Sequence, residues 1–189
     1  MKDIVDVLIA DYHKYDDHDV FLEDFHKVSS YRQNKINECV YPKDKYLSLM
    51  SEILLKELLV KYGINYDDLY YQDNKPVIKD DKAYVSISHS GEYCAVVISS
   101  NKVAIDIQKN VDRDVHKIIN YYFTEDEKRI INKSNNKDIT FFEIWCKKEC
   151  LVKCEKSEDM IFKILDIIDD YTCVIYQNKH LDILVDIKK

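Results

Sequence analysis

The sequence predicts an α+β protein built from two similar halves, each running from a strand through helices to further strands. Three observations predict this class. The chain has 189 residues, which suits two units of about 90–100 residues each. Runs rich in β-branched residues occur near the beginning, middle and end of the chain, and segments with helical periodicity separate them. The order of elements repeats once, so we expect halves at 1–100 and 101–189.

The first half is expected to begin with a strand at 2–10, where apolar residues alternate, followed by two short helices within 16–41. The segment 44–62 has the clearest helical spacing of leucines, and Gly63 stands where a helix would stop. A turn is expected at 73–76. Two strands then close the half, at 84–88 and 93–99.

The second half is expected to begin with a strand at 102–107. Polar segments with spaced apolar residues predict helices at 113–122, 124–132 and 138–155. Three further β-rich runs predict the last strands, at 161–168, 171–176 and 181–187.

Composition excludes several classes of protein. Two glycines are too few for a glycine-rich dinucleotide loop or a P-loop. The 28 basic and 35 acidic residues give a net charge of −7, which argues against a general nucleic-acid binder. No apolar run approaches the ~20 residues of a membrane span, and no signal peptide is evident. We therefore expect a cytoplasmic protein whose six cysteines are reduced thiols.

Asp106, Glu149 and Lys153 form the first candidate constellation. Asp106 lies inside an apolar strand, where a carboxylate is costly to bury unless it is paired or binds a cation. Glu149 and Lys153 are four residues apart and share a helix face, one turn after Trp145. The alternatives are an aspartate on the wet face of an edge strand and a solvated ion pair. Functionally, the two carboxylates could hold Mg²⁺ together with phosphate oxygens of a substrate.

The segment 86–91 reads Ser-Ile-Ser-His-Ser-Gly and forms the second constellation. Its hydroxyls and imidazole could donate several hydrogen bonds to an anion. The alternative is an ordinary polar hairpin turn. Ser88 beside His89 is weak evidence for a nucleophile, because catalytic groups are set by spatial arrangement rather than adjacency.

Cys146, Cys150 and Cys154 recur every four residues, which would place them along one face of a helix. Three thiols could bind a soft metal, but this spacing differs from that of zinc motifs. Buried cysteines that pack as small apolar side chains explain the pattern better.

Taken in order, these motifs resemble those of the 4′-phosphopantetheinyl transferase superfamily, in particular its monomeric surfactin-synthetase-activating type. The matching segments are Ile87-Ser88-His89-Ser90-Gly91, Ala104-Ile105-Asp106-Ile107-Gln108, and Trp145-Cys146-Lys147-Lys148-Glu149 with Lys153. Lys75-Pro76 and Tyr122-Phe123-Thr124 with Glu127 match shorter family patterns, while Arg32, Lys35 and Ser48 align more loosely.

The resemblance implies a pseudo-twofold α+β fold with the active site between the halves. It also implies an enzyme that moves the 4′-phosphopantetheine arm of coenzyme A onto a serine of an acyl or peptidyl carrier protein. That reaction depends on Mg²⁺, which Mn²⁺ could replace, and it releases adenosine 3′,5′-bisphosphate. We accordingly expect a monomer with coenzyme A and a carrier protein as partners, and no nucleic acid or membrane.

Site residues follow from the same resemblance. Asp106, Glu149 and Gln108 would hold the metal, and Glu149 would also accept the serine proton, with Lys153 and Asp106 completing the catalytic set. Contacts with coenzyme A would come from seven residues: Arg32, Lys35, Ser48, Lys75, Ser88, His89 and Lys153.

Gln108 departs from the family pattern, because many relatives have an acidic residue there. An amide oxygen is a weaker, neutral ligand for Mg²⁺. This departure leaves open a degenerate relative that binds coenzyme A or carrier protein without turnover. A Mg²⁺-dependent phosphotransferase or hydrolase acting on another nucleotide is a further alternative.

Overall fold

The computed structural model describes residues 4–111, 115–154 and 161–188. In the first half the elements are β1 (Ile4–Asp11), α1 (His18–Phe25), α2 (Ser30–Glu38), α3 (Pro42–Lys61), β2 (Leu69–Gln72), β3 (Lys75–Ile78), β4 (Tyr84–Ser90) and β5 (Tyr93–Ser99). In the second half they are β6 (Val103–Lys109), α4 (His116–Tyr122), α5 (Glu125–Lys133), α6 (Lys137–Lys153), β7 (Ile161–Leu165), β8 (Tyr171–Gln177) and β9 (Asp182–Lys188). The α+β class is confirmed. No helix among these residues is long and apolar enough to cross a membrane.

The first sheet has the strand order β4-β5-β1-β9 and is covered by α3. Strand β1 pairs antiparallel with β5 and parallel with β9. Its core forms where Leu54 and Leu58 of α3 pack with Val96 and Ile98 of β5. Strand β9 therefore joins this sheet although its residues fall in the second predicted half. The division at residue 100 and the pseudo-twofold relation stay predictions.

The second sheet has the order β6-β8-β7, and α6 packs against it. The cysteine stripe of α6 faces this sheet, where Cys146 and Cys150 are fully buried. Their thiols donate to the carbonyl oxygens of Thr172 and Val174, while Cys154 donates to that of Val103 at 3.1 Å. Burial raises the pKa of Cys154 to about 11. The stripe is thus made of protonated, free thiols that pack as small apolar side chains.

Several predicted boundaries differ from those observed. The helix expected at 113–122 is seen from His116, and residues 112–114 lie outside the described part. The one expected at 138–155 spans Lys137–Lys153, while residue 155 is not described, and the strand expected at 161–168 ends at Leu165.

The hairpin β2–β3 was predicted only as a turn. Asp73 and Asn74 have φ angles of 49° and 63°, the left-handed pair that lets two short strands close tightly.

Side chains of β4 join the two sheets along the edges of β4 and β6. Three serines at alternate positions point the same way, because strand side chains alternate between faces. Their hydroxyl oxygens accept backbone N–H groups of β6 at 3.3, 3.2 and 3.0 Å: Ser86 from Ile105, Ser88 from Ile107 and Ser90 from Lys109. This serine ladder replaces a backbone ladder between the sheets and brings β4 beside Asp106.

Candidate active site

A cavity of about 680 Å³ opens where the β2–β3 hairpin, β4, β6 and α6 meet. Elements of both predicted halves contribute to its wall. Apart from Lys35, every residue assigned to the site from the sequence lines it: Arg32, Ser48, Lys75, Ser88, His89, Asp106, Gln108, Glu149 and Lys153. The structure therefore brings together residues that are more than 100 positions apart in the chain.

Asp106 is almost completely buried, with 2% of its surface exposed. Its Oδ1 accepts hydrogen bonds of 2.7 Å from both the Ser88 hydroxyl and the Lys153 ammonium. Its Oδ2 accepts the side-chain amide of Gln108 at 3.1 Å. A buried carboxylate with these partners is satisfied, so the reading of Asp106 as a residue on a wet strand face is wrong.

Glu149 and Lys153 lie one turn apart on α6 and both face the cavity. Burial, reinforced by the negative charge of Asp106, raises the pKa of Glu149. Lys153 also donates to the backbone carbonyl of Ile105 at 2.8 Å. Two carboxylates and one ammonium thus line one cavity and influence each other electrostatically.

The donor chemistry of this group fits a hard cation only in part. Among the described residues, no three His, Cys, Asp or Glu side chains come together to hold a metal. The oxygens of Asp106, Glu149 and Gln108 are nonetheless the type that Mg²⁺ prefers. Such a site would need oxygens from substrate or water to complete the shell, and the ammonium of Lys153 already shares Asp106.

Basic groups also line the cavity. Lys75, at the start of β3, donates to the carbonyl of Val152 near the C-terminal end of α6, at 2.9 Å. Arg32 of α2 donates to the Ser48 hydroxyl at 3.2 Å. Desolvation by the surrounding protein lowers the pKa of His89, and the positive charge of Lys153 lowers it further. Arg32 and Lys75 thus give an acidic protein a local cationic surface, while His89 stays neutral.

Glu52 is a site-forming residue that the sequence analysis missed. It is fully buried within α3 and accepts a hydrogen bond from Arg32 Nε at 2.9 Å. The hydroxyls of Tyr66 and Tyr71 also donate to it. The guanidinium of Arg32 lies 4.5 Å from the centre of the Tyr71 ring. Glu52 precedes the buried Leu55 and Leu59 at helical spacing, and this was the available signal.

Lys35 does not line the cavity. Its exposed ammonium lies 3.0 Å from Glu38 Oε2, one turn along α2. The assignment of Lys35 to coenzyme A stays a prediction that no contact of the cavity supports.

Two residues of the Trp-x-x-Lys-Glu motif hold α6 to its neighbours. Trp145 stacks on Phe123 and Phe141, with ring centres 6.3 Å apart in each pair. Lys148 pairs with Glu127 at 2.9 Å, and Glu127 also completes the capping box of α5 with Thr124. Within this motif, Glu149 is the residue that reaches the cavity.

Comparison with known proteins agrees with the resemblance inferred from the motifs. Residues 102–183 match the model of the 4′-phosphopantetheinyl transferase superfamily. The chain is 33% identical over 132 residues to the 4′-phosphopantetheinyl transferase gsp of Aneurinibacillus migulanus, which covers 67% of this chain and 55% of that protein. It is 22% identical over 134 residues to both ffp of Bacillus subtilis and Sfp of Bacillus subtilis strain 168, covering 68% of this chain and 60% of each relative. The chain thus spans little more than half the length of these curated relatives.

Proposed function

We propose that the chain transfers the 4′-phosphopantetheine arm of coenzyme A to a serine of an acyl or peptidyl carrier protein, because residues 102–183 match the model of the 4′-phosphopantetheinyl transferase superfamily. The by-product would be adenosine 3′,5′-bisphosphate. The observation that carries the proposal is the convergence of Asp106, Glu149 and Lys153 on one cavity that Arg32 and Lys75 also line.

The chemistry of the proposed step suits these side chains. The serine oxygen bonds to the phosphorus next to the pantetheine arm, and the bond from that phosphorus to the adenosine bisphosphate oxygen breaks. Phosphoryl transfer of this kind needs charge neutralisation and positioning more than covalent help from the protein.

Glu149 is the proposed acceptor of the serine proton. Its raised pKa makes it a better base than an ordinary exposed carboxylate. Lys153 would stabilise negative charge on the transferred phosphate, because it lines the cavity and its ammonium is held beside Asp106.

Asp106, Glu149 and Gln108 would hold a magnesium ion, which when bound would neutralise part of the pyrophosphate charge. Gln108 contributes no negative charge. The proposed metal site therefore has two anionic ligands from the protein, Asp106 and Glu149, and one neutral ligand, Gln108. Substrate oxygens would supply the remaining anionic ligands.

Arg32, Lys75 and His89 would bind the phosphates of the nucleotide, with the Ser48 hydroxyl beside Arg32. Arg32 suits this role because its planar guanidinium is held in place by Glu52 and keeps further N–H groups for a ligand. A monomeric state and a cytoplasmic location remain predictions from the sequence.

A second candidate is a module that binds coenzyme A or carrier protein without turnover. The observation that favours it is the hydrogen bond from Gln108 to Asp106, which satisfies one carboxylate oxygen without any cation.

The experiment that separates the two candidates is mass spectrometry of an apo carrier protein after incubation with coenzyme A, Mg²⁺ and this chain. Transfer would increase the carrier mass by one phosphopantetheine group, and the Asp106→Ala variant serves as the control. Binding of coenzyme A by calorimetry without any mass gain, over a panel of acyl and peptidyl carriers, would favour the binding module.

A further inference from the structure

The Ser88 hydroxyl forms two hydrogen bonds within the protein, one as acceptor and one as donor. Its oxygen accepts the backbone N–H of Ile107 at 3.2 Å, and its hydrogen is directed to Asp106 Oδ1 at 2.7 Å. Ser88 is 7% exposed. A serine has a single hydroxyl hydrogen, and in this arrangement it is donated to Asp106.

Ser86 provides an internal comparison two residues earlier on β4. It is 6% exposed and accepts the N–H of Ile105 at 3.3 Å, so its burial and its bond to β6 match those of Ser88. It makes no hydrogen bond to Asp106. The two serines therefore share the sheet-joining role, and they differ in the contact with the carboxylate.

We propose that Ser88 is a positioning residue that fixes the orientation of the Asp106 carboxylate. The hydroxyl is anchored to β6 by Ile107, so it holds Oδ1 on the same side as the Lys153 ammonium. Oδ1 then accepts two bonds of 2.7 Å, and Oδ2 keeps the longer bond to the Gln108 amide. The consequence for catalysis rests on the proposed function, whereas the coupling between Ser88 and Asp106 does not.

A double-mutant cycle tests that coupling without any substrate or metal. Ser88→Ala, Ser86→Ala and Asp106→Ala are made singly, and each serine variant is combined with Asp106→Ala, for urea unfolding. We expect Ser88→Ala to raise the unfolding equilibrium constant about tenfold in the wild-type background, and by about threefold or less when Asp106 is absent. Ser86→Ala should have the same effect in both backgrounds. Equal, additive effects of the two serines would overturn the proposal.

Metal binding gives a second readout that a purely structural role would not change. Mn²⁺ binding is measured by calorimetry with coenzyme A present and no carrier protein, for wild type, Ser88→Ala, Ser86→Ala and Ser88→Thr. We expect about tenfold weaker binding in Ser88→Ala alone, with Ser88→Thr restoring affinity because it keeps a hydroxyl. This comparison of single variants decides the matter if a double variant does not fold. Equal affinities in Ser88→Ala and Ser86→Ala would then refute positioning.

These outcomes separate this proposal from the proposed function. If the mutations at Ser88 and Asp106 have non-additive effects on stability but the protein shows no transfer, the positioning role is supported and the transferase activity is rejected. If the protein transfers normally but the effects of Ser88→Ala and Asp106→Ala are additive, the transferase activity is supported and the positioning role is rejected.

Discussion

Arg32 Nε lies 2.9 Å from Oε2 of Glu52, a carboxylate with no exposed surface. The pair joins α2 to α3, and it places a guanidinium at the wall of the cavity rather than in solvent. Burial alone would lower the pKa of Arg32, but the nearby Tyr71 and Glu52 outweigh it and raise that pKa. The charge at this wall is therefore permanent.

Glu52→Ala should destabilise the protein by about 3–5 kcal/mol, because it leaves the Arg32 charge and two tyrosine hydroxyls without their buried partner. Urea unfolding measures the change. Glu57→Ala is the matched control on the same helix, since Glu57 makes an exposed pair with Lys188 and should cost about 1 kcal/mol or less. Similar losses in both variants would show that the Glu52 network does not stabilise the fold.

Asp106→Ala and Glu149→Gln should each lower the rate of transfer by about 100-fold or more, because each removes a proposed metal ligand and the second also removes the proposed base. The rate is measured with coenzyme A, Mg²⁺ and an apo carrier protein, and circular dichroism checks the fold. Glu143→Gln is the control, since Glu143 is on α6 but does not line the cavity. Near-normal turnover in either site variant would reject its assignment.

Gln108→Glu should destabilise the metal-free protein and tighten its binding of Mg²⁺. The substitution replaces the amide that donates to Asp106 Oδ2 with a like charge, so repulsion replaces a 3.1 Å hydrogen bond. A divalent cation would relieve that repulsion. Thermal melts with and without Mg²⁺ measure both effects. A Tm that shifts equally with Mg²⁺ in wild type and variant would remove residue 108 from the metal site.

Lys148→Ala should lower stability by about 1 kcal/mol and leave the rate of transfer per folded molecule unchanged. Lys148 pairs with Glu127 and lies over the Phe123 ring, so it joins α6 to α5 rather than contacting the cavity. Urea unfolding and the carrier assay test the two parts separately. A large loss of turnover in a folded variant would mean that Lys148 acts in the reaction.

Asp24 should make the stability depend on pH in the acidic range. Burial acts to raise its pKa, but hydrogen bonds from Lys14, Lys27 and Tyr15 outweigh burial and hold the pKa below the ordinary value. A carboxylate with a lowered folded pKa stabilises above its unfolded pKa of about 4, and this contribution is lost as the pH falls through the folded pKa.

Urea unfolding of wild type and Asp24→Asn therefore should give a large difference in stability at pH 7 and a smaller one near pH 3. The exposed Asp19→Asn on the same helix should differ little from wild type at either pH. A difference for Asp24→Asn that grows on acidification would contradict the assigned direction.

Local patterns in the sequence predicted most elements, and the family resemblance supplied the candidate residues that line the cavity. Asp106 stood out because a carboxylate interrupts an apolar strand, and Gly63 marked the end of α3 with its φ of +65°. The partners of these residues were not predictable, because they depend on long-range packing. Nothing near Glu52 in the sequence indicates Arg32, twenty residues earlier, and nothing near Ser88 indicates that its hydrogen goes to Asp106.

The same dependence on long-range packing explains why the neighbour of β9 was not predicted. An edge strand in parallel pairing has no turn that connects it locally to its partner, so the pattern of 181–187 predicted a strand but not its neighbour. The pairing of β1 with β9 could only be read from the structure.

That pairing bears on how the polypeptide acquires its structure during synthesis. Ile4 aligns with Asp182, so strand β1 leaves the ribosome well before the strand β9 that completes its hydrogen bonding. Strand β1 can pair on one side once β5 has emerged, but its other side stays unpaired until β9 has been synthesised. Contacts of such large sequence separation slow folding and leave an unpaired β edge exposed to other nascent chains in the meantime.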